Sequence, residues 1–328
     1  MASFTTILRA FIFALLYLPS TTPCAPKLQE LSLPSRGPQT FAFDTKGGGP
    51  YTGVSDGRVL KYRGRKVGFV DYAYTSPNRL SFGPLAICDG INDTASGPIC
   101  GRPFGLGFYY RTGELCIADP FFGLLAVGKK GGLATQLATS AGSIPFRFLD
   151  DLEVDQLTGI VYFMDASAVY GLSQIGELIS RGDATGRLLK YDPRTRKVTV
   201  LLTGLSGPAG VAISKDGTYL LVSEFVSRRI QKYWLKGPRT NKAEVLLTLK
   251  GNPDNIKRTT LGDFWVAVTI STPIPRALGQ KITGTGTILK TITFSPRFNS
   301  TPISEVQEFK EALYLGSLGV DYVGVHKT

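Results

Sequence analysis

Apolar and polar positions alternate along this chain in short runs, each opened by a glycine-containing corner. Gly53-Val-Ser-Asp-Gly-Arg-Val-Leu-Lys-Tyr is the first such run. Thr112-Gly-Glu-Leu-Cys-Ile-Ala-Asp with Gly123-Leu-Leu-Ala-Val-Gly is the second, and Thr158-Gly-Ile-Val-Tyr-Phe-Met-Asp with Gly186-Arg-Leu-Leu-Lys-Tyr-Asp is the third. The pattern returns at Asp216-Gly-Thr-Tyr-Leu-Leu-Val-Ser-Glu with Arg229-Ile-Gln-Lys-Tyr-Trp, and at Gly262-Asp-Phe-Trp-Val-Ala-Val with Gly286-Thr-Ile-Leu-Lys. Its sixth return is Ala312-Leu-Tyr-Leu-Gly-Ser-Leu with Tyr322-Val-Gly-Val. Period-two alternation between Asp-Gly and Thr-Gly corners is strand–turn–strand chemistry. A four-stranded unit cannot cover both of its own apolar faces, whereas radial stacking does. The expectation is an all-β, single six-bladed β-propeller over residues 26–328. A helical excursion is expected near Ser173–Ser180, and a closing strand within Lys27–Pro34. A pair of β-sandwiches is the alternative, and it leaves the recurring Gly-Arg-x-Leu-Lys-Tyr strands unexplained.

The first 25 residues break this pattern. Arg9 precedes the apolar run Ala10–Leu18, and turn-forming residues follow from Pro19. That is the anatomy of a secretory signal peptide, and the run is short of the roughly 20 residues a spanning helix needs. Residues 1–25 are therefore read as a cleaved leader. The protein is expected in the secretory pathway, in the vacuole or outside the cell, without stable membrane insertion. In an oxidising compartment Cys88 and Cys100, flanking a polar loop, are expected to form a disulfide. Cys116, in an alternating stretch, reads as a buried free thiol. Asn92-Asp-Thr and Asn299-Ser-Thr are glycosylation acceptor triplets.

Composition sharpens the picture in two places. A single histidine, His326, lies close to the C-terminus, so no Ser-His-Asp triad and no histidine-rich metal site is expected. The 328 residues carry 37 Lys+Arg against 25 Asp+Glu, a formal net charge of +12. The basic residues at Arg63–Lys66, Arg194–Lys197, Arg228–Arg229, Lys236 and Arg239 are scattered over different units without a stripe or a stacking motif. No nucleic-acid partner is expected. Weak, non-specific adhesion to acidic polymers or membrane surfaces stays open, and the oligomeric state is not readable.

Several longer strings carry a family resemblance. Tyr51-Thr-Gly-Val-Ser-Asp-Gly-Arg-Val-Leu-Lys-Tyr, Gly68-Phe-Val-Asp-Tyr-Ala-Tyr-Thr-Ser-Pro, Cys100-Gly-Arg-Pro and Gly131-Gly-Leu-Ala-Thr-Gln-Leu-Ala-Thr resemble plant strictosidine synthases and their relatives. So do Gly186-Arg-Leu-Leu-Lys-Tyr-Asp-Pro, Lys232-Tyr-Trp-Leu-Lys-Gly-Pro, Asn255-Ile-Lys-Arg and Tyr314-Leu-Gly-Ser-Leu. The resemblance implies a six-bladed propeller, a glycosylated vacuolar or secreted protein, and an axial pocket. It also implies alkaloid-type chemistry. The family's named enzyme is a carbon–nitrogen lyase that joins tryptamine to the aldehyde of secologanin by a Pictet–Spengler condensation.

The match places Ser304 where the family enzyme has its glutamate base. A hydroxyl without a histidine to take its proton cannot do a carboxylate's work near neutral pH. The neighbouring Glu305 faces the other way on a regular strand, unless a bulge turns it. The resemblance further puts Phe104, Phe148, Phe225 and Gly207 at substrate-contacting positions, and Asp150 where an aromatic is expected. Strictosidine synthase activity itself is therefore expected to be absent or slight. A relocated carboxylate, Asp150 or Glu305, would serve a related condensation of an amine with an aldehyde. Related propeller hydrolases of the paraoxonase and lactonase type hold calcium at the axis, for which Asp150, Asp254 and Asn255 are candidate ligands. In that comparison Gln39 and Ala209 stand where further oxygen ligands belong. No other cofactor is expected. The alternatives are a calcium-assisted hydrolase and a non-catalytic propeller that binds a ligand or partner.

Overall fold

The computed structural model describes residues 28–78, 87–271, 274–294, 298 and 301–327. Six four-stranded sheets are arranged as the blades of a propeller, with a small hairpin Ser140–Ala141/Ile144–Pro145 beside them. Blades 3, 4 and 5 are simple antiparallel meanders. They run Leu149–Val154, Val161–Asp165, Gly186–Asp192, Lys197–Leu205; then Pro208–Ile213, Tyr219–Glu224, Arg229–Trp234, Ala243–Thr248; then Asn252–Arg258, Phe264–Ile270, Arg276–Ile282, Ile288–Thr293. Blade 2 comprises Gly105–Tyr109, Glu114–Asp119, Gly123–Val127 and Thr135–Ala138.

Blade 6 joins the first and last strands of the described chain. Blade 6 consists of Glu305–Phe309, Ala312–Gly316 and Tyr322–Lys327, and its outer strand is Gln29–Ser32, paired antiparallel with Tyr322–Val325. The closing strand thus falls within the segment where weak alternation predicted it. Closure removes the free edges that an open sheet would present. In blade 1 the innermost segment, residues 39–43, meets Tyr51 through an isolated antiparallel bridge at Ala42. Tyr51–Gly53, Arg58–Tyr62 and Phe69–Tyr74 follow, and Gly132–Leu133 adds a parallel outer edge.

Apolar residues on facing blade surfaces form a separate cluster at each junction. Leu106 and Leu115 mark the junction of blades 1 and 2, Leu152 and Phe163 that of 2 and 3, and Val211 and Tyr233 that of 3 and 4. Ile256 and Phe264, Val306 and Trp265, then Phe41 and Val323 complete the circle. At roughly 25 cal/mol per Å² of apolar surface, these six seams dominate the stabilisation. Gly57, in the Asp-Gly corner of blade 1, has φ +83 and a Cβ there would fall 1.8 Å from the Cys100 carbonyl oxygen, so no other residue fits the turn. Cys88 and Cys100 are joined in a disulfide, and Cys116 is a buried free thiol whose burial raises its pKa to about 12.

The predicted helix is present as a 3-10 turn Leu172–Gln174 running into an α-helix Ile175–Ser180, inserted between two strands of blade 3. No helix among the described residues is long and apolar enough to cross a membrane. Residues 1–25 and Asn299 lie outside the described residues.

Candidate active site at the upper end of the axis

The innermost strands of all six blades run side by side around the axis, so the residues at their N-terminal ends converge on one mouth. Acidic residues at the ends of the second strands hold these entries in place. Asp119 accepts the backbone N–H of Arg102 at 2.7 Å, Asp165 that of Phe148 at 3.0 Å, and Glu224 that of Ser206 at 2.7 Å. Arg187 pairs with Asp165, and Arg229 with Glu224, which compensates these buried anions. The Asp or Glu that ends three of the alternating runs is thus a positioning device for the strand beside it.

The pocket at this mouth is walled by Phe104, Phe148, Phe225, Ala166, Gly207, Pro208 and Ala209. Phe104 and Phe148 meet edge to face, with ring centroids 6.0 Å apart. Ile175, Leu178 and Ile179 of the helix and Leu318 complete the apolar wall, with Ile175 and Ile179 partly exposed at its opening. Gly207 has φ +56, and a Cβ there would lie 2.8 Å from Val226 and 3.3 Å from Leu178. The turn that enters blade 4 therefore requires glycine. The cavity is about 60 Å³, room for a small polar head group rather than a whole aromatic molecule.

Its floor is polar. Gln39, Asp150 and Asp254 come from the inner segments of blades 1, 3 and 5. Gln39 Nε2 donates to Asp150 Oδ1 at 3.0 Å. Burial, followed by the negative charges of Asp254 and Asp151, pushes the Asp150 carboxyl well above its ordinary value of 3.8. Asp254 is raised well above that value too, by burial first and then by the charges of Asp151 and Glu305. Gln39 Oε1 and Asp254 Oδ1 are buried with no donor among the described residues. Leaving such atoms unmatched costs about 1–3 kcal/mol each, so the floor is short of positively charged or protonated donors.

One residue further along each strand the arrangement reverses. Asp151 accepts Lys257 Nζ at 2.8 and 3.0 Å. Glu305 accepts Thr40 Oγ1 at 2.6 Å, the Phe41 N–H at 3.0 Å and Asn255 Nδ2 at 3.0 Å, with Lys257 Nζ 3.8 Å away. Burial disfavours the Lys257 charge, but the anions Asp151, Glu305 and Glu153 outweigh it and raise its pKa. These side chains close the axis beneath the pocket. Register shifts at Leu149/Leu152, Pro208/Gly210 and Pro253/Ile256 show that the entries to blades 3, 4 and 5 are bulged. Blade 6 pairs Glu305 with Gly316 in regular register. No bulge turns Glu305 upward, and it does not line the pocket.

The structure brings together Asp150, Asp254, Phe104, Phe148, Phe225 and Gly207. It sets Ser304, Glu305 and Asn255 apart from that cavity's lining. The Ser304 hydroxyl donates to the Gln39 carbonyl at 3.0 Å. Asn255 Nδ2 donates to the same carbonyl at 3.1 Å. Asn92 lies in an exposed loop, with its Oδ1 accepting the Arg36 N–H at 2.7 Å. For calcium, which takes six to eight oxygens, the donor set falls short. Among the described residues at the axis, the unmatched buried side-chain oxygens are Gln39 Oε1, Asp254 Oδ1 and Asn255 Oδ1, while Asp150 Oδ1 is taken by Gln39 Nε2 and Ala209 offers no side-chain oxygen. Among the described residues no group of three or more His, Cys, Asp or Glu is placed to hold a metal ion.

Sequence reasoning did not single out Lys257, Thr40, Glu153, or the helix residues Ile175, Leu178 and Ile179. A signal for the axial ones existed. Asp151-x-Glu153, Asn255-x-Lys257 and Glu305-x-Gln307 put polar residues on one face of an inner strand, where blade packing alone calls for apolar ones.

Comparison with known proteins fits this architecture. A strictosidine synthase family profile matches residues 150–238. The chain is 43% identical over 299 residues to a strictosidine synthase of Catharanthus roseus, covering 89% of this chain and 84% of that one. It is 41% identical over 304 residues to strictosidine synthase-like protein 11 of Arabidopsis thaliana, covering 91% of each. Among solved structures, a gluconolactonase from Xanthomonas campestris superposes with a TM-score of 0.65 at 15% identity, covering 92% of this chain and 90% of that one, a likeness of fold alone. With these identities spread over nearly the whole propeller, the chain belongs to the strictosidine synthase-like family.

Proposed function

We propose that the axial pocket takes up the ammonium end of a small apolar primary amine, with Asp150 and Asp254 as its counter-charge and acid–base pair. The observation that carries this reading is the pair of buried, donorless oxygens, Gln39 Oε1 and Asp254 Oδ1, beside two carboxyls of raised pKa under an aromatic wall. Two neighbouring buried carboxyls hold a proton between them more readily than two charges. An arriving ammonium supplies the same donors and displaces that proton. The body of the amine extends past Phe104, Phe148 and Phe225 towards the opening between Ile175 and Ile179.

The same pair suits a condensation of the family's general type. An ionised carboxylate takes a proton from the ammonium, and the free amine adds to an aldehyde carbon. The protonated carboxyl then gives its proton to the carbinolamine hydroxyl, which leaves as water and yields an iminium ion. The reaction with secologanin is not expected, because Ser304 is committed to a backbone carbonyl and offers no carboxylate.

Tryptamine serves as probe. Titration calorimetry is expected to show binding to the native chain and at least tenfold weaker binding to Asp254→Asn and Asp150→Asn, while incubation with tryptamine and secologanin yields no strictosidine. Equal affinity in both variants would overturn the amine reading. Robust strictosidine turnover would overturn the argument from Ser304. A micromolar constant for calcium at the same residues would replace the amine by a metal ion.

A further inference from the structure

At the opposite end of the ring, where the inner strands finish, a second cavity of about 410 Å³ opens between blades 1 and 2. It is several times roomier than the axial pocket and within the range of ligand sites. Tyr51, Tyr72 and Phe108 build its inner wall, with Tyr51 edge-on to Tyr72 and to Phe108 at centroid distances of 4.9 Å. Tyr110 stands at its margin and is 48% exposed. An exposed ring beside a wide opening is a flat apolar platform with a polar tip.

The charge around this platform is one-sided. Asp44 is the only acidic residue of the lining, and its carboxylate is fully engaged. It accepts the N–H groups of Gly48 and Lys46 at 2.8 and 3.0 Å, the Tyr51 hydroxyl at 2.9 Å and Lys61 Nζ at 3.0 Å. Burial opposes its ionisation, but these bonds outweigh it and hold its pKa near 2. Lys61 is thereby neutralised, and three cations remain: Lys46 on the turn after the inner segment of blade 1, Arg111 after the inner strand of blade 2, and Lys129 after its third strand. All three are exposed, and none has a carboxylate partner among the described residues. Three turns from two blades thus aim unpaired positive charge over an aromatic floor, and such a cleft concentrates anions.

We propose that this groove binds an acidic saccharide: pyranose rings whose C–H faces lie on Tyr110 and whose carboxylate or sulfate groups meet Lys46, Arg111 and Lys129. A neutral sugar would leave the cations unmatched, and a small inorganic anion would leave the tyrosine platform empty. The site is independent of the axial pocket and of the amine reading.

The test uses the full mature chain titrated with trigalacturonic acid by calorimetry at 50 mM and 300 mM NaCl. Maltotriose is the neutral control, with sulfated maltotriose and inorganic sulfate as further arms. Binding of trigalacturonate is expected, weakening about fivefold or more at the higher salt as the charges are screened. The Lys46→Glu/Arg111→Glu/Lys129→Glu variant is expected to lose at least tenfold, and Tyr110→Ala to weaken binding about threefold or more, on the scale of one lost aromatic contact. Lys197→Glu/Lys242→Glu/Lys250→Glu makes the same change in net charge at exposed positions elsewhere and is expected to bind as the native chain does. Tight binding of sulfated maltotriose in place of the uronate supports the same groove with sulfate as the acidic group. The proposal is overturned by equal binding of maltotriose, by inorganic sulfate binding as tightly as either acidic sugar, by equal losses in the two triple variants, or by no binding of either acidic sugar.

Discussion

Asp150 and Asp151 are neighbours in sequence, as are Asp254 and Asn255, yet each pair is split between two settings. The first of each pair faces the pocket with raised proton affinity, and Asp254 Oδ1, beside Gln39 Oε1, is left without a donor among the described residues. Asp151 and Asn255 turn to the axis, where Lys257, Thr40 and the Phe41 N–H meet the demands of the Asp151 and Glu305 carboxylates. Raised proton affinity does not distinguish the two layers, because burial also lifts the Asp151 carboxyl and pushes Glu305 up to about 7. What differs is whether the donors are supplied by the chain. In the lower layer only Asn255 Oδ1 stays unmatched among the described residues and both carboxylates are met by the chain, whereas in the proposed reading the upper layer takes its missing donors from a ligand.

The largest effect that would break this contrast is removal of the lower layer's cation. Lys257→Met strands Asp151 and Glu305 without their counter-charge and is expected to destabilise by about 3–5 kcal/mol in chemical denaturation. A loss below about 1 kcal/mol would show that the axial charges are screened by other means. Thr40→Val removes one donor from Glu305 and is expected to cost about 1–3 kcal/mol. In the upper layer the sign reverses. Asp254→Asn relieves repulsion with Asp151 and Glu305 and is expected to stabilise by about 1 kcal/mol at neutral pH, on the scale of one pKa unit.

That gain has a defined pH dependence. Because Asp150 and Asp254 have folded-state pKa values raised above the unfolded value of 3.8, the folded chain keeps protons that the unfolded chain has released. Their contribution to native stability therefore falls as pH climbs from about 4 through the raised values, and the advantage of Asp254→Asn shrinks to nothing below pH 4. A variant that is less stable than native at pH 7 would contradict the assignment. Ser304→Ala is the smallest change. The Gln39 carbonyl keeps its bond from Asn255, so the loss is expected to stay within about 1 kcal/mol with amine affinity unchanged.

The propeller was legible because blade packing imposes a short-range rule, alternation between glycine corners, that recurs six times. The family resemblance, rather than this rule, supplied the pocket, the aromatic positions and Asp150. It could not divide Asp150 from Asp151. Which of two adjacent carboxylates faces the mouth depends on bulges at the entries to blades 3, 4 and 5, and a bulge leaves no fixed composition. Nor could it foresee that Glu305 is captured by Thr40 and Asn255, residues 265 and 50 positions away in sequence. The helix Ile175–Ser180 was placed by local sequence, but its role as a pocket wall came only with the packing of Leu178 against Phe104 and Phe148.

The central claim is that an ammonium ion replaces a proton shared by Asp150 and Asp254. Calorimetric titration of tryptamine at pH 7 in two buffers of different ionisation enthalpy counts the protons exchanged on binding. Release of a substantial fraction of one proton by the native chain, vanishing in Asp150→Asn/Asp254→Asn, is the predicted result. Binding without proton release, or release that survives the double substitution, would contradict it.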